Sequence, residues 1–204
     1  MITIIDCGMG NLGSILNMLK KIGVTAVISS NIYDIEEAKK LILPGVGAFD
    51  NGMKNLNDRG LIPLINRKVL VDGVPILGIC LGMQLFSKRS EEGVLPGLGW
   101  IDAETVRFRF NSAGTNLKIP HMGWNFVDIR RENLLFRGMD ENPRFYFVHS
   151  YHVICNNSSD VLTTTSYGYN FISAVNKENI FGVQFHPEKS HKFGMRLLSN
   201  FIAL

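Results

Sequence analysis

The chain lacks the features that mark exported, membrane-spanning and metal-stapled proteins. Its 204 residues include three cysteines, Cys7, Cys80 and Cys155, an odd number at wide spacing. None forms a C-x-x-C pair, so neither a disulfide framework nor a thiolate metal site is indicated. No apolar run approaches the ~20 residues that cross a bilayer. The start, Met1-Ile2-Thr3-Ile4-Ile5-Asp6, carries neither the basic segment nor the cleavage site of an export signal. The overlapping sequons at Asn156 and Asn157 are therefore read as chance, and a reducing cytoplasm is the expected location. The charged share, 19%, is ordinary for a soluble globular protein, the formal net charge is only +3, and no long basic run occurs. That balance gives no argument for nucleic acid or an anionic membrane as partner. No repeat, low-complexity tract or linker divides the chain, whose 46% hydrophobic content fits one domain over residues 1–204.

The first half alternates strands with helices. Residues 2–6 read as a strand. Leu12, Ile15, Leu16, Leu19 and Ile22 then recur at helical spacing, and Gly23 closes the element. Further strands are expected at 26–29 and 40–43, a helix ending near residue 57, and another over 61–71. This order predicts an α/β fold with a mostly parallel central sheet flanked by helices. After Glu92 strand-like runs follow one another at 106–110, 124–129, 145–148, 162–166, 172–175 and 180–185. They are expected to extend the same sheet and to add a smaller antiparallel one. Phe193, Arg196, Leu197, Asn200 and Phe201 fit a final amphipathic helix.

The stretch Val74-Pro75-Ile76-Leu77-Gly78-Ile79-Cys80-Leu81-Gly82-Met83-Gln84 joins a buried strand to a helix, with Cys80 at the junction and a glycine two residues away on each side. This is the pattern of a nucleophile elbow with cysteine in place of serine. Glycines suit a turn too tight for neighbouring Cβ atoms, and free N–H groups at a helix start favour a thiolate and can hold an oxyanion. A small cysteine packed at a strand end accounts for the same residues, so the choice rests on what else the chain supplies.

Near the C-terminus, Gly182-Val183-Gln184-Phe185-His186-Pro187-Glu188-Lys189-Ser190 supplies it. A strand is expected to end at His186, and in extended chain Glu188 would share its side. Glu188 can hold one ring nitrogen, leaving the other for a thiol, which makes Cys80, His186 and Glu188 a candidate catalytic triad. The order nucleophile, base, acid differs from that of α/β-hydrolases. A rival reading rests on Gly8-Met9-Gly10-Asn11-Leu12-Gly13, which matches a dinucleotide fingerprint between strand and helix. The acidic residue expected about 20 positions on is missing until Asp34, so the match is incomplete.

Together the elbow and Phe185-His186-Pro187-Glu188 resemble the class I (triad) glutamine amidotransferases. More narrowly, the chain is similar to glutaminase subunits of imidazole glycerol phosphate synthases. That likeness rests on Asp6-Cys7-Gly8-Met9-Gly10-Asn11-Leu12, Leu43-Pro44-Gly45-Val46-Gly47-Ala48-Phe49, Pro120-His121-Met122-Gly123-Trp124-Asn125, Phe147-Val148-His149-Ser150-Tyr151 and His186-Pro187-Glu188-Lys189-Ser190. The resemblance implies a flavodoxin-like fold. It implies hydrolysis of L-glutamine through a cysteine thioester, without metal or other cofactor, and ammonia delivery to a (β/α)8-barrel cyclase in a heterodimer with synthase (lyase) activity. It assigns the oxyanion donors to Leu81 and the Val46–Gly47 loop, and glutamine contacts to Gln84, His149, Ser150 and Tyr151. Asn11, His121, Trp124, Tyr146 and Lys189 would face the cyclase, which leaves the Gly8-to-Gly13 turn no cofactor to hold. Related subunits that supply ammonia for amidine formation on a surface-glycan sugar share these motifs, so histidine biosynthesis and glycan biosynthesis both remain open here.

Overall fold

The computed structural model describes residues 1–110, 117–140 and 142–204. The first half runs β1 (Ile2–Ile5), α1 (Leu12–Lys21), β2 (Ala26–Ser29), α2 (Ile32–Glu36), β3 (Lys40–Gly45), α3 (Phe49–Asp58), α4 (Leu61–Asn66, continued by a π-helical turn at Arg67–Val71), β4 (Ile76–Cys80) and α5 (Leu81–Leu85). The second half runs β5 (Arg89–Ser90), β6 (Ala103–Arg107), β7 (His121–Phe126), β8 (Asp128–Ile129), β9 (Arg144–His149), β10 (Tyr151–Cys155), β11 (Val161–Tyr167), β12 (Tyr169–Lys177), β13 (Ile180–Val183) and α6 (His191–Ala203). None of the described helices is long and apolar enough to cross a membrane.

The parallel centre has the order β2-β1-β3-β4-β13, and β12, β10, β6 and β5 continue the sheet beyond it. Its strands alternate sides in the way full burial requires. Ile4, Ile42, Leu77 and Phe181 pack with α1 and α6 through Ile15, Leu19, Leu197 and Phe201. Ile5, Leu41, Leu43 and Ile76 pack on the opposite side with Phe49, Leu56, Leu61 and Ile65 of α3 and α4. Asn11 caps α1 by accepting from the Ser14 N–H, and Lys20 and Lys21 lie in its last turn, where cations suit the free carbonyls.

Register decides where the chemistry falls. Gly45 at the end of β3 pairs with Cys80 at the end of β4, and Val183 of β13 pairs with Ile79. Three neighbouring parallel strands therefore deliver the Val46–Gly47 loop, Cys80 and the segment after Val183 to one edge, the carboxyl edge where doubly wound sheets bind ligands.

The second half departs from the sequence reading in its boundaries. The expected strand at 106–110 is β6 at Ala103–Arg107, because Phe108 turns inward, 1% exposed, into a cluster with His121, His149 and Phe171. The run at 124–129 divides into β7 and β8, and β10, not expected from the pattern, lies antiparallel between β6 and β12 in the main sheet. The separate small sheet is the antiparallel pair β7-β9.

Candidate active site

Cys80 occupies a backbone conformation that L-residues rarely adopt, φ 54° and ψ −109°, between β4 and α5. Strain of this kind is held only when surrounding packing enforces it. The two flanking glycines are part of that enforcement. A Cβ on Gly78 would lie 2.6 Å from the Phe86 ring, and one on Gly82 would lie 1.8 Å from the Leu43 carbonyl oxygen. Since α5 is five residues long, it offers local N–H groups, Leu81 first, rather than the dipole of a long helix.

His186 sits just past β13, 2% exposed, and its Nδ1 is 2.7 Å from Glu188 Oε1. The strand ends at Val183, and Pro187–Lys189 form one 3-10 turn. Glu188 therefore reaches His186 by turning back, not by the strand alternation expected from sequence. Ser190, fully buried, pins the histidine's backbone: its hydroxyl donates to the His186 carbonyl at 2.6 Å and accepts from the Tyr146 N–H at 3.0 Å. The His186 N–H donates to the Tyr146 carbonyl at 2.8 Å. His186 Nε2 is buried without a hydrogen-bond partner among the described residues. Burial opposes charging the imidazole, but the neighbouring Cys80 sulfur and the Glu188 carboxylate outweigh it, and the pKa rises from 6.5 to about 10.

Cys80, 6% exposed, opens into a cavity of about 460 Å³. Val46, Gly47, Leu81, Gln84, His149, Ser150 and Tyr151, all singled out from sequence, line it with Cys80. Gly47 has φ +115°, a backbone open to glycine but strained for other residues. Ala48, Glu92, Pro120 and Val148 line the same cavity and were not foreseen. Glu92 also accepts from the Phe49 N–H at 2.8 Å, which ties the loop before β6 to the start of α3.

His149 Nδ1 lies 2.7 Å from the Tyr151 carbonyl and must donate to it, so a neutral ring leaves Nε2 as acceptor. His121 Nδ1, 3.0 Å away, then donates to His149, and His121 Nε2 accepts from Asn125 Nδ2 at 3.2 Å. Burial drives both pKa values down, to about 4 for His121 and about 3 for His149, so the pair is neutral at pH 7. His121 is 3% exposed. Among the residues expected to face a partner it is the one that alternation along β7 turns inward.

The other residues expected to face a partner lie at or near the surface. Asn11 and Lys189 are exposed and Tyr146 half-buried, with Lys189 Nζ 5.5 Å above the Tyr146 ring. Trp124 is 44% exposed and stacks on His191 at 5.5 Å. Two side chains brace the entry to the Gly8-to-Gly13 turn: Arg59 donates to the Asp6 carbonyl at 3.0 Å and Asn55 to the Cys7 carbonyl at 2.8 Å. Asp34 accepts from the Ser29 hydroxyl at 2.5 Å. Among the described residues no cluster of His, Cys, Asp or Glu has the makings of a metal site.

Residues 3–204 match the family described as glutamine amidotransferase class-I. The chain is 57% identical to "Imidazole glycerol phosphate synthase subunit HisH 2" of Methanococcus maripaludis, over 99% of this chain and 98% of that one. It is 50% identical to the like-named subunit HisH 2 of Pseudomonas aeruginosa, over the full length of both. A crystal structure of a glutamine amidotransferase has the same fold, with a TM-score of 0.74 at 19% identity over 99% of this chain and 97% of the other.

Proposed function

The chain belongs to the class-I glutamine amidotransferase family, and on that premise we propose that it is the glutaminase subunit of an imidazole glycerol phosphate synthase. It hydrolyses L-glutamine to glutamate and passes the ammonia to a (β/α)8-barrel cyclase that makes imidazole glycerol phosphate and AICAR in histidine biosynthesis. The observation that carries this reading is spatial. Cys80, His186 and Glu188, far apart in sequence, lie together at the carboxyl edge of the sheet, with the sulfur on a cavity of about 460 Å³.

The chemistry follows from the groups in place. With its proton already held by His186, the sulfur attacks the side-chain amide carbon of glutamine. The oxyanion that forms takes hydrogen bonds from the Leu81 N–H and from a backbone N–H of the Val46–Gly47 loop. Removing one such donor typically costs roughly 10²–10³ in rate. His186 then protonates the leaving nitrogen, ammonia departs, and a thioester remains on Cys80. Water attacks the thioester carbonyl as His186 takes its proton, the C–S bond breaks, and the electron pair returns to sulfur. Glu188 fixes the ring tautomer and stabilises the imidazolium. Glu92, on the cavity wall, supplies a negative charge for the α-ammonium of the substrate. Asn11, Trp124, Tyr146 and Lys189 form the cyclase-facing surface, and the reaction takes place in the cytoplasm.

A second reading has one observation in its favour. Both relatives named above carry the number 2, which implies that their organisms hold more than one such subunit, and a second copy is free to serve a second ammonia acceptor. On that reading the ammonia goes to an amidine-forming sugar synthase of surface-glycan biosynthesis. Glutamate release by the purified chain, measured with each candidate synthase in turn, separates the two. Stimulation by the cyclase alone supports the histidine pathway, stimulation by the sugar synthase alone replaces it, and hydrolysis with neither overturns both.

A further inference from the structure

Gln184 interrupts an otherwise apolar run between Val183 and Phe185, and its side chain is fully buried. An amide taken out of water is costly unless its polar atoms are bonded. Here both are engaged. Gln184 Oε1 accepts from Gln84 Nε2 at 3.0 Å, and Gln184 Nε2 points at Cys80 Sγ at 3.7 Å, a distance suited to the larger sulfur atom.

The direction of these bonds is determined by a backbone group. Gln84 Nε2 also donates to the Tyr151 carbonyl at 3.1 Å, and a carbonyl can only accept. Gln84 must therefore present its nitrogen on this side. Gln184 must then present its oxygen to Gln84, which leaves its nitrogen for the sulfur. Reversing either amide would set oxygen against oxygen or nitrogen against nitrogen. The Tyr151 carbonyl is itself held by the His149 Nδ1–H at 2.7 Å.

We infer that Gln184 is a further catalytic group of the glutamine hydrolysis proposed above, acting as a hydrogen-bond donor to the reacting sulfur. The inference rests on that reading for its chemistry. Among the described residues, the other neutral hydrogen-bonding contact to the sulfur is the Val148 carbonyl at 3.9 Å, an acceptor that favours the protonated thiol. Gln184 is its counterweight. It stabilises the sulfur after its proton has gone to His186, and again when the C–S bond of the thioester breaks and the pair returns to sulfur. Gln84 sets the orientation of that donor while also lining the cavity.

The test is alkylation by iodoacetamide across a pH series, with the Cys80 peptide quantified by mass spectrometry and the Cys7 and Cys155 peptides as internal references. Gln184→Leu is expected to move the alkylation midpoint of Cys80 to higher pH by about one unit, slowing the reaction about tenfold on the acid side. Gln184→Glu, which sets an acceptor against the sulfur, is expected to slow it further. With a cognate synthase present, Gln184→Leu lowers kcat more than it changes KM. An unchanged midpoint in a folded Gln184→Leu chain overturns the inference. If that variant does not fold, Gln84→Leu, which releases the donor from its set orientation, must shift the midpoint the same way, and no shift there overturns it equally. Since alkylation needs no glutamine, a wild-type chain that fails to hydrolyse glutamine counts against the proposed function and leaves this measurement intact.

Discussion

His186 and His149 are both buried, 2% and 6% exposed, and the backbone of β9 touches one and carries the other. Their protonation nevertheless runs in opposite directions: His186 is raised to about 10 and His149 lowered to about 3. Burial lowers both, so burial does not explain the difference. The neighbours do. His186 has a carboxylate on one side and a sulfur close by, while His149 has a carbonyl, a neutral histidine and aromatic rings. The charge on His186 further disfavours a second one on His149. One fold thus makes a base of one imidazole and a neutral piece of cavity wall of another.

Stability should record the contrast. The folded pKa of His186 lies above its unfolded value of 6.5, so its contribution is fully present below pH 6.5 and is lost as pH rises through about 10. His121 and His149 have folded values below 6.5. Their contribution is present above pH 6.5 and is lost as pH falls through about 4 and about 3.

The largest effect is expected from removing the sulfur beside His186 at its reactive end. Cys80→Ala should reduce glutamate release in the synthase complex at least about 10⁴-fold while circular dichroism stays unchanged. Substantial turnover in that variant would assign the nucleophile elsewhere. Glu188→Gln should cut kcat by roughly 10²–10⁴ by removing the charge that stabilises the imidazolium, and should bring the pKa of His186 down. A kcat close to wild type would mean that the carboxylate is structural only. On the neutral side, His121→Phe takes the donor away from His149 Nε2. Urea unfolding should show a loss of roughly 1–3 kcal/mol, with a flatter decline in stability between pH 6.5 and 4, and an unaltered slope would remove His121 from the pH account. Trp124→Ala touches neither histidine. It should leave iodoacetamide alkylation of Cys80 within about twofold of wild type while, as part of the proposed cyclase-facing surface, weakening synthase affinity roughly tenfold or more.

The reactive half of this contrast was legible in sequence because its chemistry is compact. Gly78, Cys80 and Gly82 lie within five residues, and His186 and Glu188 within three. The parallel strands were legible for a similar reason, since apolar runs at 41–43 and 76–80 leave few alternatives. The neutral half was not. His121 read as a surface residue because its partner, His149, lies 28 positions away, and only the β7-β9 register places the two rings together. Gln184 was overlooked for the same reason, its orienting partner being 100 positions distant. The one local sign was an amide inside an apolar strand end. The alternation of Val106, Phe108 and Phe110 suggested a strand running to 110, whereas β6 ends at Arg107 and only the Phe108 N–H, bonded to the Ser150 carbonyl, carries its register with β10 one step further. Glu92 carries no motif, and only the cavity brings it beside Cys80.

The most direct test is a nitrogen NMR titration of the histidine-labelled chain, with each ring assigned by substitution. The account expects His186 to be doubly protonated at pH 7 and to lose its proton near pH 10, while His149 remains neutral down to about pH 3 with its proton on Nδ1. A His186 that titrates at its ordinary 6.5, or a His149 that charges there, would contradict it.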